Sequence, residues 1–425
     1  MGIFLPINPN AYPYIFKHIA VRRYNSIEVF DFKEDESYEI DQEAYSVLKL
    51  INSVFTNSEI INSFPIEKQG EVQEALEQYY ELNIIGFSDK KLSLNQSDTY
   101  KVCNIPEKNP FEQPYLRTLM VNITEKCNLR CDHCYITDKH QTDFPLDKLK
   151  SIFEEFYRLQ GLKLVLTGGE PFLYSDFKEL LEYLRNVPLQ KIILSNGVLV
   201  EENLDLLDLI KDNIYEFYIS VDGLEETHNE IRRANCFQKT IDGIKILIEN
   251  GLKVSINTML HKLNLTEFPK LEEFVRSLGL ISSWVIDIPT FDDSIPKEVK
   301  EKYYVTPKEA KSVFGKFGWG SGFEFEAGNF ACGPGIMALD VTGVVTKCGF
   351  FTEQNVGYVF ELGLKNSWEL VQKNLNWCLE DLKCEELGCE YLQTCRGGCR
   401  YRAFINTGDI LGADQYRCVQ FDKKF

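Results

Sequence analysis

The chain has 425 residues, room for about three domains of roughly 150 residues each, and is 44% apolar and 26% charged. That balance excludes general disorder, and no charge-free apolar run approaches the ~20 residues of a membrane helix. With 46 Lys and Arg against 64 Asp and Glu, the net charge of -18 repels phosphate backbones and anionic lipid, so neither nucleic acid nor a membrane is the expected partner.

The N-terminal stretch carries Pro6, Pro9 and Pro13 and lacks the basic-then-apolar order of a signal peptide. Position 6 also lacks the Ser or Thr of a myristoylation signal, so a cytoplasmic location is expected. Residues 1–100 read as a small α+β module. Ile15–Tyr24 and Ser26–Phe32 alternate as paired strands around Asn25. Asp41 caps a helical pattern through Ala44, Val47, Leu48, Ile51 and Phe55. Glu71–Leu82 repeats that spacing, and Ile84–Phe87 closes the unit as a strand, giving a winged-helix-like order. Pro106, Pro110 and Pro114 mark residues 101–115 as a linker.

From Leu116 strands alternate with helices. Apolar runs at Leu116–Ile123, Leu162–Leu166, Ile192–Leu194, Ile214–Val221, Val254–Leu260 and Trp284–Ile288 are separated by amphipathic stretches such as Leu146–Leu159, Asp176–Leu184 and Phe237–Ile248. This pattern predicts an α/β domain over 116–290 with a parallel sheet, six βα units forming a partial barrel. Residues 291–330 read as a bridge, and 331–425 as a cysteine-rich third region.

Thirteen cysteines in a reducing compartment are not expected to be structural disulfides, and their clustering points to metal. Cys127, Cys131 and Cys134 follow the first strand of the βα series. Three thiolates suit a four-iron cluster with one iron left open. Zinc is the chemical alternative, but a structural zinc takes four ligands, and only His133 and His140 stand close by in sequence.

The C-x3-C-x2-C spacing at 127–134, with Thr167-Gly-Gly-Glu-Pro171 after the second strand, resembles the radical S-adenosylmethionine enzymes. The resemblance implies a [4Fe–4S] cluster on Cys127, Cys131 and Cys134 whose open iron chelates S-adenosylmethionine. One-electron cleavage then gives a 5′-deoxyadenosyl radical that abstracts hydrogen from substrate. Cofactor contacts are implied for His133, Gly168, Gly169, Glu170, Ser195, Asn196, Ser220, Asp222 and Arg232. Glu170 is expected to accept from the cofactor's ammonium, Ser220 or Asp222 to bond its ribose, and Arg232 to meet its carboxylate. Taken singly, a Gly-Gly or Asn-Gly is usually a turn and an Arg a surface charge. Their appearance at successive strand ends is what lifts the reading.

Farther on, Cys332-x10-Gly343-x4-Cys348, Cys384-x4-Cys389-x5-Cys395-x3-Cys399 and Cys418 resemble the seven-cysteine SPASM extension. That family binds two auxiliary [4Fe–4S] clusters. The resemblance implies Cys332, Cys348 and Cys399 on the first, and Cys384, Cys389, Cys395 and Cys418 on the second. C-x4-C replaces the commoner C-x2-C, a spacing associated with maturases of subtilosin-type sactipeptides. No eighth cysteine precedes Cys332, which implies an open iron on the first auxiliary cluster unless Cys378 completes it. The alternative is zinc on Cys384, Cys389, Cys395 and Cys399. Cys103, Cys236 and Cys378 fit no motif and read as small buried hydrophobes.

SPASM enzymes mostly modify ribosomally made peptides, and the N-terminal module resembles their PqqD-like peptide-recognition element, which grips a leader by strand addition. Lys17, Arg22 and Arg23 form a local basic patch suited to acidic leader residues. The lead expectation is a sactipeptide- or ranthipeptide-type maturase joining cysteine sulfur to carbon, served by a reductant such as flavodoxin or ferredoxin. Carbon–carbon (cyclophane-type) crosslinking, a sulfatase-type maturase and a non-catalytic iron–sulfur DNA-binding regulator are the alternatives.

Overall fold

In the computed structural model, residues 7–92, 99–100, 105–136, 141–289, 291, 295–317, 328–351 and 354–423 are described. Cys103 and His140 lie outside them. The chain divides into two compact units. The first comprises Met1–Glu112 with Tyr157–Leu162 and Asn186–Gln190, and the second the remaining residues.

The first unit opens with strands β1 (Tyr12–Phe16), β2 (Ile19–Arg23), β3 (Ile27–Asp31) and β4 (Glu36–Ile40). Helices α1 (Gln42–Leu48), α2 (Asn57–Asn62) and α3 (Gln69–Glu81) follow, then β5 (Ile85–Ser88) and β6 (Thr99–Tyr100). The expected single strand Ile15–Tyr24 is two strands in two sheets. β1 pairs with β5 and β6, whereas β2 joins β3 and β4. The break at Lys17–His18 lets consecutive strands serve different sheets. Asp41 does cap α1, its carboxylate accepting from Ala44 N at 2.7 Å. Thr56 and Glu59 form a capping box that starts α2, a helix the sequence reading passed over. Val29, Leu48, Ile51, Leu76, Ile84 and Ile85 are fully buried at the centre of this unit, each contributing about 1.5–3 kcal/mol by leaving water.

The expected basic patch is corrected. Successive strand residues point to opposite faces, and Arg22 is the one turned inward, 2% exposed. Its Nε donates to Gly161 O at 2.7 Å, Nη1 to Val21 O at 2.9 Å and Nη2 to Pro188 O. Its guanidinium carbon also lies 4.9 Å from the centre of the Tyr157 ring. Arg22 is thus a structural tie and is not displayed to a ligand. Residues of the expected linker belong to this unit as well: Ile105 N donates to Tyr45 Oη at 3.0 Å, and Asn109 Nδ2 to Arg23 O at 2.6 Å.

The second unit alternates β7 (Thr118–Thr124), α4 (Leu146–Arg158), β8 (Lys163–Gly168), α5 (Phe177–Leu184), β9 (Gln190–Ser195) and α6 (Leu207–Asn213). It continues through β10 (Ile214–Ser220), α7 (Glu225–Arg232), α8 (Phe237–Glu249), β11 (Lys253–Met259), α9 (Phe268–Ser277) and β12 (Trp284–Asp287). Leu119, Val121, Leu164, Leu166, Ile193, Phe217 and Ile256 are wholly buried, as parallel strands covered on both faces require. Helices α10 (Lys297–Tyr303) and α11 (Pro307–Phe317) lead to strands β13 (Ile336–Leu339), β14 (Val344–Thr346) and β15 (Asn355–Tyr358).

One nine-stranded sheet runs β12-β11-β10-β9-β8-β7-β13-β14-β15. The pairs β7–β8, β9–β10, β10–β11 and β11–β12 are parallel, so the six expected βα strands lie in chain order. The sequence did not announce the rest: β13 adds parallel to β7, and β14 and β15 follow antiparallel. Beyond them come α12 (Val359–Asn374), α13 (Lys383–Glu386), α14 (Leu392–Cys395), α15 (Arg400–Thr407) and α16 (Gln415–Cys418). Among the described residues no helix is long and apolar enough to cross a membrane.

Replacing Arg22 with Ala strands three carbonyls without their charged donor. Urea denaturation should show a stability loss of about 3 kcal/mol. A loss under about 0.5 kcal/mol would mean that Arg22 is not the tie described.

Candidate active site

A cleft open to solvent lies where the carboxyl ends of β7 to β12 meet the loop after β7. Side chains from consecutive parallel strands converge at that edge for topological reasons. Cys127, Cys131 and Cys134 line the cleft together with His133, Gly168, Gly169, Ser195, Asn196, Ser220, Asp222 and Arg232. Of the expected cofactor contacts, only Glu170 is absent from the lining.

Glu170 is fully buried. Its Oε1 accepts from Ser195 Oγ at 2.8 Å and from Phe172 N at 3.4 Å, and its Oε2 from Asn196 N at 2.9 Å. Burial pushes this carboxyl up to about 7, while those donors pull it back. The geometry makes it a positioning residue that fixes the end of β9. Asn196 passes the constraint on, its Nδ2 donating to Asn128 Oδ1 at 2.8 Å, inside the cysteine loop.

The two glycines press on the same loop. A Cβ on Gly168 would stand 2.2 Å from Thr124 O, and one on Gly169 2.2 Å from Lys126 O. Gly168 also has φ +129°, a region that favours glycine. Gly169 N donates to Thr124 O and Glu170 N to Lys126 O, both at 2.8 Å. The glycines therefore dock the backbone that leads directly into Cys127.

Asp222 is the electrostatic centre. It is fully buried, and Arg232 reaches its Oδ2 with Nε at 2.7 Å and Nη2 at 2.5 Å. Met259 N donates to Oδ1 at 2.9 Å, and His133 Nε2 lies 3.6 Å from Oδ2. Burial alone would raise this carboxyl, but Arg232 and His133 hold it well below the usual range. Arg232 Nη1 also donates to Cys131 Sγ at 3.7 Å. Helical i, i+4 spacing places His228 beside Arg232, and His228 Nδ1 accepts from Asp222 N at 3.2 Å. Burial lowers His133 to about 4 and His228 to about 3, so both imidazoles are neutral near pH 7.

Sequence reasoning missed Asn257, Met259, Tyr218, Tyr135 and Phe350, which also line the cleft. Asn257 lies opposite Ser220 in the β10–β11 register, so its place at a strand end was the available signal. It also missed His261 and Asn264, which donate to Asp222 O at 3.0 and 2.8 Å.

The C-terminal cysteines separate into two groups. Cys384, Cys389, Cys395 and Cys418 line one small cavity. Cys418 occupies that cavity where the zinc alternative would have Cys399. Cys332, by contrast, hydrogen-bonds Cys399, which lowers the Cys332 thiol and raises that of Cys399; Cys348 acts on Cys332, and Cys399 acts on Cys348. Cys378 pairs through its backbone with Phe330, and the charges acting on its thiol are Asp381 and Glu380. Cys236 is a buried thiol 3.5 Å from His228 Nε2. Among the described residues no three His, Cys, Asp or Glu side chains converge tightly enough for a single metal ion.

Residues 121–275 match the sequence profile of the Radical SAM superfamily, so the chain carries a radical SAM domain. Such a domain works with S-adenosylmethionine and a [4Fe–4S] cluster. The chain is 27% identical over 345 residues to AdoMet-dependent heme synthase of Methanosarcina barkeri, covering 72% of this chain and 98% of that protein. It is 23% identical over 364 residues to the antilisterial bacteriocin subtilosin biosynthesis protein AlbA of Bacillus subtilis, covering 79% and 77%. Among solved structures it resembles Streptococcus suis SuiB bound to precursor peptide SuiA, with TM-score 0.63, 17% identity, and 96% and 99% of the two chains covered. SuiB bound to S-adenosylmethionine matches with TM-score 0.62 and the same identity, covering 95% and 99%.

The cleft fits both groups. Its donor set includes three thiols, the ligand type that iron–sulfur clusters take. His133 Nδ1 and Asn257 Oδ1 are buried at the cleft with no partner among the described residues, as expected where a polar cofactor completes the site.

Gly169→Ala drives a Cβ into a backbone oxygen that has no freedom to yield, displacing the entry to Cys127. Formation of 5′-deoxyadenosine from S-adenosylmethionine should fall at least about a hundredfold. Gly315→Ala, whose Cβ would meet nothing within 4 Å, is the control and should be silent. Chromatography of anaerobic reactions reads both.

Proposed function

We propose that the chain is a radical S-adenosylmethionine maturase that modifies a ribosomally made precursor peptide, joining cysteine sulfur to carbon as a thioether. The observation that carries this reading is the sorting of ten cysteines into three sets, one at the cleft and two in the C-terminal region. Cys127, Cys131 and Cys134 would hold the cofactor-binding cluster. Cys384, Cys389, Cys395 and Cys418 would hold a fully ligated auxiliary cluster, and Cys332, Cys348 and Cys399 one with a position that the chain leaves open. When bound, the cleft cluster and cofactor supply reductive cleavage of the sulfonium and hydrogen abstraction from the substrate.

The chain's own residues orient and exclude. Arg232 and Asp222 fix the middle of the cysteine loop. Gly168 and Gly169 dock its start, and Glu170, Ser195 and Asn196 hold the adjacent strand end. His133 Nδ1 and Asn257 Oδ1 stand ready for the cofactor's polar atoms. Neutral His133 adds no charge beside a cationic sulfonium.

Similarity to a subtilosin biosynthesis protein and near full-length likeness to a precursor-bound structure support a peptide substrate. In this reading the first unit recognises a leader, with β4, an edge strand of its sheet, available for strand addition. A tetrapyrrole substrate is the second reading, favoured by the 98% coverage of a heme synthase.

Incubation with S-adenosylmethionine, reductant and a cysteine-containing peptide encoded beside this gene tests the proposal. Joining C–H to S–H as C–S removes two hydrogens, one taken as an atom by the 5′-deoxyadenosyl group and one leaving as the thiol proton, with the surplus electron passing to an auxiliary cluster. The product should therefore be lighter by about 2 Da and poorer by one thiol per ring, the sulfur reacting from a positioned thiolate. Cysteine-to-serine changes in the peptide should stop that loss while 5′-deoxyadenosine still forms. Undiminished loss of two hydrogens from the serine peptide would move carbon–carbon crosslinking ahead, and porphyrin turnover without peptide modification would overturn the peptide reading.

A further inference from the structure

The C-terminal region buries a cation beside its cysteines. Lys347 immediately precedes Cys348, and its side chain is 2% exposed. Its Nζ donates to Pro334 O at 3.2 Å and to Asn376 Oδ1, and stands 5.6 Å from the centre of the Trp368 ring. Among the described residues no carboxylate lies within ion-pair reach of it. Burial pushes this ammonium down to about 8, and the thiols of Cys332 and Cys348 are the charged groups that act against that.

Carbonyls and an aromatic face satisfy the ammonium's hydrogen bonds without cancelling its charge. A buried charge with no counter-ion is strongly disfavoured, and in a chain with 64 Asp and Glu a carboxylate partner was within easy evolutionary reach. Arg402 shows the contrast. It too is buried in this region, but it pairs with Asp287 at 2.7 Å and Asp414 at 3.1 Å. Arg400, held by carbonyls, acts on both Cys332 and Cys384 and so biases both cysteine groups. Lys347 interacts with Cys332 and Cys348, both of one group.

We propose that Lys347 is the counter-charge of the group bound by Cys332, Cys348 and Cys399, and that it raises this group's reduction potential. The inference rests on the auxiliary-cluster reading given above. Reduction adds one electron and one unit of negative charge to the cluster, and a buried cation beside its ligands stabilises that product more than the oxidised state. Removing the charge should make the cluster harder to reduce and leave the other clusters unmoved.

The test is an anaerobic potentiometric titration of the reconstituted full chain, followed by electron paramagnetic resonance, with iron and sulfide counted first. Lys347→Gln keeps donors for Pro334 and Asn376 but no charge. It should load as much iron as the unaltered chain and move one reduction step to more negative potential by at least about tenfold in its equilibrium constant, about 59 mV for one electron. Lys347→Arg should hold the original potential within half that shift. Identical potentials in the unaltered chain and a fully loaded Lys347→Gln would overturn the proposal. Should Lys347→Gln lose the cluster, retention in Lys347→Arg supports the counter-charge, whereas loss from both variants marks a packing role and overturns it. If the unaltered chain takes up only about four irons, the auxiliary-cluster reading itself fails, and the inference with it.

Discussion

The site depends on one buried ion pair. Arg232 and Asp222 meet in the interior, where a lone charge is expensive and a matched pair is held tightly by its own Coulomb attraction. Four segments end on it. Cys131 and His133 bring the cysteine loop, Met259 N brings the end of β11, Asp222 itself follows β10, and α7 carries Arg232. His261 and Asn264 satisfy the Asp222 carbonyl from behind. The cysteine loop therefore shares its electrostatic anchor with three other segments.

A second set of contacts fixes the loop from the other side. Gly168 and Gly169 bring β8 into direct backbone contact with Thr124 and Lys126, and Glu170 transmits order to Ser195 and Asn196. Asp132, the residue between Cys131 and His133, accepts from Tyr303 Oη at 2.7 Å, tying the loop to α10. The C-terminal region is built on the same sheet, since β13 pairs directly with β7. The segment between Cys332 and Cys348 is therefore anchored to the strand that delivers Cys127.

Much of this was legible in the sequence. Periodicity located the six parallel strands, because strands buried on both faces must be continuously apolar, and Cys384, Cys389, Cys395 and Cys418, grouped through the family resemblance, line one cavity. Roles were less legible than places. Glu170 and Arg232 read as cofactor ligands, and the structure adds that Glu170 accepts from Ser195 and Asn196 while Arg232 donates to Asp222 and Cys131. A spacing motif does not say whether a side chain faces the ligand or the scaffold that presents it. Asn257 and Lys347 carried no motif at all, since their meaning comes from register and burial. The split of Ile15–Tyr24 between two sheets was hidden because both halves have the same alternation.

The most direct test of this account is a double-mutant cycle on Asp222→Asn and Arg232→Met by anaerobic urea denaturation. Each single change leaves a buried charge or dipole without its partner and should cost about 3–5 kcal/mol. The double change removes both charges, and the account predicts a coupling of at least about 2 kcal/mol, with the double variant more stable than at least one single variant. Additive losses, with no coupling between the two positions, would contradict the central role given to this ion pair.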